Sequence, residues 1–347
     1  MKAARLYEYD PDLRTSEPLK IEEVPEPEIH ESLDVMVRVG GAGLCRTDIH
    51  IIQGLWDDAL VVDPPYILGH ENAGWVEEVG AGVRHVKPGD PVLVIPALTD
   101  GVCHACRRGE DNQCENLVWI GIQKDGGFAD LMVVKERNLI TLPEGLDPVK
   151  AAPLPDAGLT AYHTVKRAAA LLHPGATVAL IGIGGLGHLG LQAVRALTSF
   201  RLIAIDISET GLELARELGA DQVVDASSHP VEAVMEITED KGADAVIDFV
   251  GEGDVPAQAL QMTRFGGYYF VVGYGGKIDV PTMEMIATEK KIIGNLGGTS
   301  SELMELVALS ARGKIEIHTQ AFELDRINEA IADLNAYRIK GRAVVTP

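Results

Sequence analysis

The amino-acid sequence predicts an α/β protein in which a barrel-like β domain is followed by a doubly wound parallel sheet. Short apolar runs broken by Gly and Pro fill the first 155 residues, which is typical of antiparallel β-structure. From about Asp156, strands alternate with helical stretches, as in βαβ units. A glycine-rich loop lies between one such strand and its helix, which supports the parallel sheet.

Local patterns predict the individual elements. Apolar alternation indicates a strand at Asp34–Val39, and a Pro-Gly turn precedes another at Val92–Val94. In the second domain, buried strands are predicted at Thr177–Ile181 and Arg201–Ile205, and Ser208 is a candidate N-cap for the next helix. Further strands are expected at Ala245–Phe249 and Tyr268–Val272. The last 50 residues show no decisive periodicity.

The composition indicates a globular protein with an acidic surface. The 347 residues are 46% hydrophobic, enough for two domains with buried cores. The formal net charge of -22 is dispersed along the chain, so neither nucleic acid nor a membrane surface is an expected partner. Solubility or a salt-rich habitat would explain this acidic excess. Without a signal-like or membrane-spanning segment, we expect a cytoplasmic protein.

The glycine loop predicts a dinucleotide site. Residues Gly182–Gly187 fit G-x-G-x-x-G, in which glycines permit a tight turn and let backbone amides approach a pyrophosphate. Asp206 ends the following strand, where a carboxylate binds the adenosine ribose and repels a 2′-phosphate. No Arg or Lys follows at 207–209, so NAD is favoured over NADP. The alternatives are a glycine turn made for packing and a helix cap at Asp206.

Cysteine and histidine suggest two metal sites. Cys45 and His70 are zinc-ligand types, although either alone is more often a buried hydrophobe or a satisfied polar group. Downstream, four residues form D-x2-C-x2-C-x7-C, a compact spacing that suits a closed structural zinc. The alternatives are a metal-free lobe with loose thiols or a disulfide between its first two cysteines. The lobe residues are Asp100, Cys103, Cys106 and Cys114.

These motifs, in this order, resemble the medium-chain zinc-dependent alcohol dehydrogenases, particularly the short bacterial and archaeal members, over the whole chain. The resemblance implies a GroES-like catalytic domain at 1–155, a Rossmann NAD-binding domain at 156–296, and a segment at 297–347 that completes the catalytic domain. It also implies a homotetramer. Asp100 stands where most members have cysteine, and oxygen ligands hold zinc less strongly, which weakens the expected structural site.

The resemblance assigns Cys45, His70 and Asp156 to the catalytic zinc, with Glu71 as a transient ligand. Asp156 stands where the family usually has cysteine, and carboxylate oxygen is a competent zinc ligand. Without the resemblance, Asp156 would be read as the N-cap of a helix starting near Ala157.

The remaining roles are also carried over from the family. Asp48 would orient His70, and Thr47 would take the alcohol proton, which His50 passes to solvent through a cofactor ribose hydroxyl. Trp119 and Trp56 would line an apolar substrate pocket, with ordinary core packing as the alternative. Arg46 and Arg342 would bind the pyrophosphate, and Thr160 and Leu186 would contact the nicotinamide. The full set of expected cofactor residues is Arg46, Thr160, Gly182, Gly184, Gly185, Leu186, Gly187, Asp206, Val250, Val272 and Arg342.

The resulting functional prediction is reversible hydride transfer between NAD and a primary or secondary alcohol, with secondary alcohols favoured. In that reaction, zinc would lower the pKa of the alcohol hydroxyl and the nicotinamide would carry the hydride. The nearest alternative is a polyol or sugar dehydrogenase of the same superfamily, against which the cysteine lobe and Trp119 argue. A zinc-free quinone reductase or a non-enzymatic nucleotide-binding protein is a more distant alternative.

Overall fold

The protein is described here from a computed structural model that covers residues 1–55 and 64–347. Within these ranges the strands, numbered β1 to β18 in chain order, are Lys2–Leu6, Leu19–Glu23, Asp34–Leu44, Tyr66–Ile67, Glu71–Val79, Pro91–Val94, Ala97–Leu98, Val118–Trp119, Leu131–Lys135, Leu139–Thr141, Thr177–Ile181, Arg201–Asp206, Gln222–Asp225, Ala243–Asp248, Thr263–Val271, Lys291–Gly294, Thr319–Glu323 and Arg342–Thr346.

The helices of the same ranges are numbered α1 to α11. They are Arg46–Ile52, His104–Arg107, Pro148–Ala151, Leu159–Leu171, Gly187–Leu197, Glu209–Glu217, Pro230–Ile237, Val255–Met262, Thr282–Thr288, Ser300–Ala311 and Ile327–Asn335. Short 3-10 turns lie at Asp111–Gln113, Glu136–Asn138 and Leu324–Arg326, and a π-helical turn lies at Leu154–Gly158. None of the helices in the described ranges combines the length and the apolar character that a membrane crossing requires.

One compact unit comprises Met1–Leu159, Gly298–Gly313 and Ile317–Pro347. Its main sheet has the order β10-β6-β5-β3-β18-β17, with β9 also paired to β3. The central strand β3 is longer than predicted, because its glycines continue the strand where neighbours leave no room for side chains. A Cβ on Gly43, for example, would overlap the Glu71 carboxylate. This close packing brings the end of β3, and hence Cys45, beside Glu71.

The second unit comprises Thr160–Gly297 and Lys314–Glu316 and contains a parallel six-stranded sheet. The strand order is β13-β12-β11-β14-β15-β16, so the chain winds outward in both directions from β11 and β14. Strand β11 begins and ends where the sequence predicts, and β12 extends one residue further, to Asp206. Ser208 caps α6, accepting a hydrogen bond from the Gly211 backbone N–H at 3.1 Å. The predicted α/β fold class is confirmed.

The unit boundaries differ slightly from the predicted domain boundaries. The first division falls after Leu159 rather than after residue 155, so Asp156 belongs to the first unit. The reason is that the turn Leu154–Gly158 packs against β5 and β6 of the main sheet. Residues Lys314–Glu316 join the second unit, where Gln192 exchanges hydrogen bonds with the backbone of Glu316.

Candidate active site

Three distant segments of the first unit bring together four metal-ligand side chains. The ligand atoms of Cys45, His70, Glu71 and Asp156 all lie within 4.8 Å of one another. Cys45 follows β3 and precedes α1, His70 immediately precedes β5, and Asp156 lies in the π-helical turn. Sulfur, imidazole nitrogen and carboxylate oxygen are the donors that zinc prefers, so these residues fit a catalytic zinc.

Asp48 links two of these ligands. Its Oδ2 accepts a hydrogen bond from the backbone N–H of Cys45 at 2.8 Å. Its Oδ1 lies 3.2 Å from Nδ1 of His70, which leaves Nε2 on the side of Asp156, 3.5 Å from Oδ2. Asp48 is fully buried. This is the geometry expected of a carboxylate that fixes the orientation of a metal-binding imidazole.

Gly69 forms the backbone turn immediately before His70. Gly69 has φ +98°, and a Cβ there would lie 2.8 Å from the Phe128 ring. Only glycine accommodates both this left-handed backbone and this contact. The side chain of Asn72 reinforces the turn by donating to the Gly69 carbonyl at 3.0 Å.

A π-helical turn presents Asp156. The Gly158 N–H donates to the Pro153 carbonyl at 3.0 Å, and α4 begins only at Leu159. Asp156 therefore lies inside a helical turn, and the interpretation as an N-cap is wrong. Single π-turns are frequent at functional sites, because the extra residue re-aims a side chain. Here the aspartate carboxylate is turned towards His70.

The guanidinium of Arg342 is engaged by Glu71. Its Nε donates to Glu71 Oε2 at 2.9 Å, a terminal nitrogen donates to Oε1, and the same nitrogen lies 4.0 Å from Asp156 Oδ2. Arg342 is 4% exposed and Glu71 is fully buried. Glu71 is thus held by an arginine and by the Ala157 N–H at 3.2 Å. The role of Arg342 at a pyrophosphate stays a prediction.

Burial and charge act in opposite directions on the acidic groups of this cluster. Burial disfavours the Cys45 thiolate, but the Arg342 charge and the His70 contact bring the pKa of the thiol below its ordinary value. Burial also opposes ionisation of Asp156, yet the contact with His70 lowers the pKa of its carboxyl to about 2. Burial alone would lower the pKa of His70, but the Asp48 charge and other anionic neighbours raise it well above its ordinary value. The shifts at Cys45 and Asp156 thus favour the anionic forms, which are the forms that bind a cation.

The cysteine lobe forms a second ligand cluster at the surface of the first unit, with Asp100, Cys103, Cys106 and Cys114 close enough to share one ion. The Asp100 carboxylate accepts backbone N–H groups of Val102 and Cys103 at 2.8 and 2.9 Å. The Cys103 and Cys114 sulfurs are 3.9 Å apart. All four cysteines of the chain are free thiols, so the alternative of a disulfide in the lobe is wrong. The donors fit a structural zinc.

Helix α1 holds the other residues expected near the reaction. Arg46 donates to Asn335 Oδ1 at 3.0 Å and lies over the Tyr337 ring. Thr47 is half-buried. His50 is only 5% exposed. Its turn of α1 is packed inward, with Ile49 and Ile51 also buried. A role for His50 in proton transfer therefore needs an internal path.

The glycine loop of the second unit has the form a dinucleotide site requires. Gly182 follows β11 with φ +87°, and a Cβ on Gly187 would lie 1.8 Å from the Gly182 carbonyl oxygen. A Cβ on Gly184, in contrast, would meet nothing within 4 Å, so this glycine leaves open space above the loop. Leu186 precedes α5 as its N-cap, and Gly185 is half-buried beside it.

Asp206 contacts this loop directly. Its Oδ2 accepts the Ile183 N–H at 2.6 Å, and its Oδ1 accepts the backbone N–H and hydroxyl of Ser208 at 2.8 and 2.9 Å. Since Ser208 caps α6, the interpretation of Asp206 as merely a helix cap is not supported. The carboxylate is half-buried at the end of β12, the position expected for a ribose ligand.

The other expected cofactor and substrate residues are placed as follows. Val250 lies against Gly182, where a Cβ would be 2.7 Å from its Cγ2, and Val272 follows β15. Thr160 is buried at the start of α4. Trp119 is half-buried in the short pair β7–β8 and packs against the core of the first unit. Trp56 lies outside the described residues.

Fold and ligand set together define an oxidoreductase of the zinc-dependent dehydrogenase class. Residues 31–144 match the alcohol dehydrogenase GroES-like domain, and residues 185–312 match the zinc-binding dehydrogenase domain. The chain belongs to the medium-chain zinc-dependent alcohol dehydrogenases.

Individual relatives cover essentially the whole chain. An NAD-dependent alcohol dehydrogenase from Sulfurisphaera tokodaii is 35% identical over 356 residues, all of both chains. A D-arabinose 1-dehydrogenase (NADP(+)) from Saccharolobus solfataricus is 36% identical over 341 residues, 96% of this chain and 95% of its own. The crystal structure of the alcohol dehydrogenase from the hyperthermophilic archaeon Aeropyrum pernix is 45% identical, with a TM-score of 0.96 over all of both chains.

Sequence reasoning missed the fully buried acid Asp248 at the end of β14. The signal was present, since the apolar run Ala245–Ile247 leads directly into Asp248 at the end of the strand. An acid in that position, fully buried, has a specific set of hydrogen-bond donors around it.

Proposed function

We propose that this enzyme oxidises alcohols to carbonyl compounds with NAD, and that it favours secondary alcohols, which give ketones. The observation that carries the proposal is the convergence of Cys45, His70 and Asp156 on one buried point of the first unit. These residues would hold a zinc ion, which would supply a Lewis acid for the alcohol oxygen, and bound NAD would supply the hydride acceptor. Overall, alcohol and NAD give carbonyl compound, NADH and a proton.

The chain's own residues orient the ligands and remove the proton. Asp48 orients the His70 ring, and the hydrogen-bonded Glu71–Arg342 ion pair lies next to the ligands. Thr47 Oγ1 takes the alcohol proton and releases its own hydroxyl proton in the direction of His50, and the His50 imidazole passes a proton on towards solvent. The order of these residues along α1 supports the proposal, because Thr47 lies one turn before His50.

Asp206 supports the choice of NAD. Its carboxylate is fixed by three hydrogen bonds from Ile183 and Ser208, so it cannot easily withdraw from an incoming 2′-phosphate. Relatives differ in this property, since one is named for NAD and another for NADP(+). The charge at Asp206 therefore favours NAD in this chain.

A panel assay tests the proposal. Purified enzyme is supplied with NAD or NADP and with primary alcohols, secondary alcohols, polyols and aldoses, and formation of the reduced cofactor is followed by absorbance. We expect the highest kcat/KM with secondary alcohols and NAD. Asp206→Gly should lower the ratio of kcat/KM with NAD to kcat/KM with NADP, mainly by changing the KM values of the two cofactors. Equal use of NADP by the unmodified enzyme would contradict the role of Asp206.

A second candidate is an aldose or polyol dehydrogenase, because the relative from Saccharolobus solfataricus is named for D-arabinose. That relative covers nearly the same length and is as similar as the alcohol dehydrogenases. In the panel assay, a kcat/KM for aldoses above that for every simple alcohol would establish this candidate instead.

We also propose a homotetramer that works in the cytoplasm. Exposed apolar side chains on α9, Met283 and Ile286, support burial against another copy of the chain. The free thiols of all four cysteines support a reducing compartment. Light scattering on the purified enzyme should give about four times the chain mass of 37.2 kDa.

A further inference from the structure

A buried carboxylate with no part in the proposed chemistry lies beside the glycine loop. Asp248 ends β14, is fully buried, and is the register partner of Ile181, the residue before Gly182. Burial raises the pKa of its carboxyl, so keeping an acid here has a cost that an apolar residue would avoid. We therefore expect the buried Asp248 carboxyl to have a function.

The hydrogen bonds of Asp248 are directed at backbone that follows the strand. Oδ1 accepts the N–H groups of Val250 and Gly251, each at 2.9 Å. Oδ2 accepts the hydroxyl of Tyr269, itself fully buried on β15, at 2.8 Å. The Asp248 carbonyl also accepts the N–H of Val272 at 3.0 Å. One residue thus fixes the start of the loops that follow both β14 and β15.

These two loops are packed backbone against backbone. A Cβ on Gly251 would lie 2.1 Å from the carbonyl carbon of Gly273, and a Cβ on Gly273 would lie 2.3 Å from that of Val250. Gly251 also has φ +64°, which favours glycine. Because the loops touch so closely, any shift in the Val250–Gly251 peptide must move both.

Val250 connects these two loops to the glycine loop. A Cβ on Gly182 would lie 2.7 Å from Cγ2 of Val250, so the valine side chain covers the first glycine of the motif. β11 and β14 are the strands from which the sheet winds outward in opposite directions. Ligands of such sheets bind at the carboxyl ends of the strands at this switch point. Asp248 therefore stands under the expected binding surface.

We propose that Asp248 and Tyr269 are positioning residues for the cofactor: they hold the Val250–Gly251 peptide in the conformation that NAD binds. The inference rests on the proposed use of NAD and adds two residues that determine its affinity. The physical reason is preorganisation, since a loop that is already ordered does not lose conformational freedom when the ligand binds.

The test is a fluorescence titration of the full-length enzyme with NADH. Asp248→Ala should weaken NADH binding by about tenfold or more, because three donors lose the carboxyl group that accepts their hydrogen bonds. Tyr269→Phe removes one donor and leaves the loop bonds, so a smaller loss is expected. Asp248→Asn should restore most of the affinity, because its Oδ1 still accepts both N–H groups and its amide can donate to Tyr269. Metal content should stay unchanged in all three.

Asp244→Ala is the matched control on the same strand. Asp244 lies at the opposite end of β14 and accepts Arg264 Nε at 2.6 Å and the Thr177 N–H at 2.8 Å. Asp244→Ala should lower the melting temperature of the enzyme without changing the Kd for NADH. Equal weakening by Asp244→Ala and Asp248→Ala would overturn the inference, because only general destabilisation would then be at work.

The conservative variants keep the inference testable if Asp248→Ala does not fold. Unchanged NADH affinity in Tyr269→Phe would then overturn it. Failure of the unmodified enzyme to bind NADH would instead overturn the proposed cofactor, and this inference with it. Normal binding by the unmodified enzyme together with unchanged binding by the variants would remove only the positioning role.

Discussion

The two clusters of candidate metal ligands have similar donor groups in contrasting surroundings. The lobe residues Asp100–Cys114 come from one stretch of chain, are mostly half-exposed, and take their hydrogen bonds largely from nearby backbone N–H groups. The cluster of Cys45, His70 and Asp156 is assembled from three distant segments and is mostly buried. Buried charged side chains, Asp48 and the Glu71–Arg342 pair, surround it.

The difference fits the roles proposed for the two clusters, one structural and one catalytic. A structural site needs only to close a loop around its ion, and local backbone donors suffice for that. A catalytic site must keep its ligands charged and oriented away from water, which requires opposite charges brought in from elsewhere in the fold. Removing a ligand or a charge from the buried cluster should therefore reduce turnover or the free energy of unfolding more than the same change in the lobe does.

The largest effect is expected from Asp156→Ala. Loss of a direct ligand should remove the catalytic metal and reduce turnover by roughly a hundredfold or more, beyond the effect of losing a residue that only supports a ligand. Metal analysis should show the content falling from about two ions per chain to about one, since the lobe is untouched. Full metal retention with normal turnover would contradict the ligand role of Asp156.

Arg342→Leu should destabilise the protein strongly, because it leaves the Glu71 carboxylate buried without its arginine. Breaking a buried ion pair from one side costs about 3 to 5 kcal/mol of unfolding free energy. Denaturant titration measures this loss. The control Arg326→Ala breaks the exposed pair with Glu329 and should leave the unfolding free energy nearly unchanged. Similar losses in both variants would remove the distinction between buried and exposed charge.

His50→Gln should slow alcohol oxidation near neutral pH by roughly a hundredfold, the lower end of the range for general acid–base groups. The metal content of the variant should equal that of the unmodified enzyme. This result would distinguish a role of His50 in proton transfer from a role in metal binding. The deficit should shrink as pH rises or when small buffer bases are added, because these accept the proton instead. A pH–rate profile identical to that of the unmodified enzyme would contradict the relay.

The smallest effect on catalysis is expected from Cys106→Ser in the lobe. Thermal unfolding should begin at a lower temperature and one metal ion per chain should be lost, while kcat and KM stay unchanged at moderate temperature. Brief treatment of the unmodified enzyme with a mild chelator should give the same result if the lobe releases its ion first. Loss of turnover in proportion to loss of the lobe metal would show that the two clusters are coupled.

The sequence by itself determined the features whose parts are close along the chain. The glycine loop after Thr177–Ile181, the carboxylate at Asp206 and the ligands of the cysteine lobe were all predicted from spacing, and each is local. The α/β class was equally readable, because periodicity and turn residues act over a few positions. The catalytic ligands needed the family resemblance, since Asp156 read alone suggested a helix cap.

Only the tertiary structure decided the features that depend on neighbours distant in sequence. It paired Arg342 with Glu71, buried His50 on the inward turn of α1, and set Asp248 beneath the glycine loop. Burial and partner choice depend on how whole sheets pack, and no local pattern carries that information. Ordering such distant groups costs conformational entropy that only the complete packed core can offset.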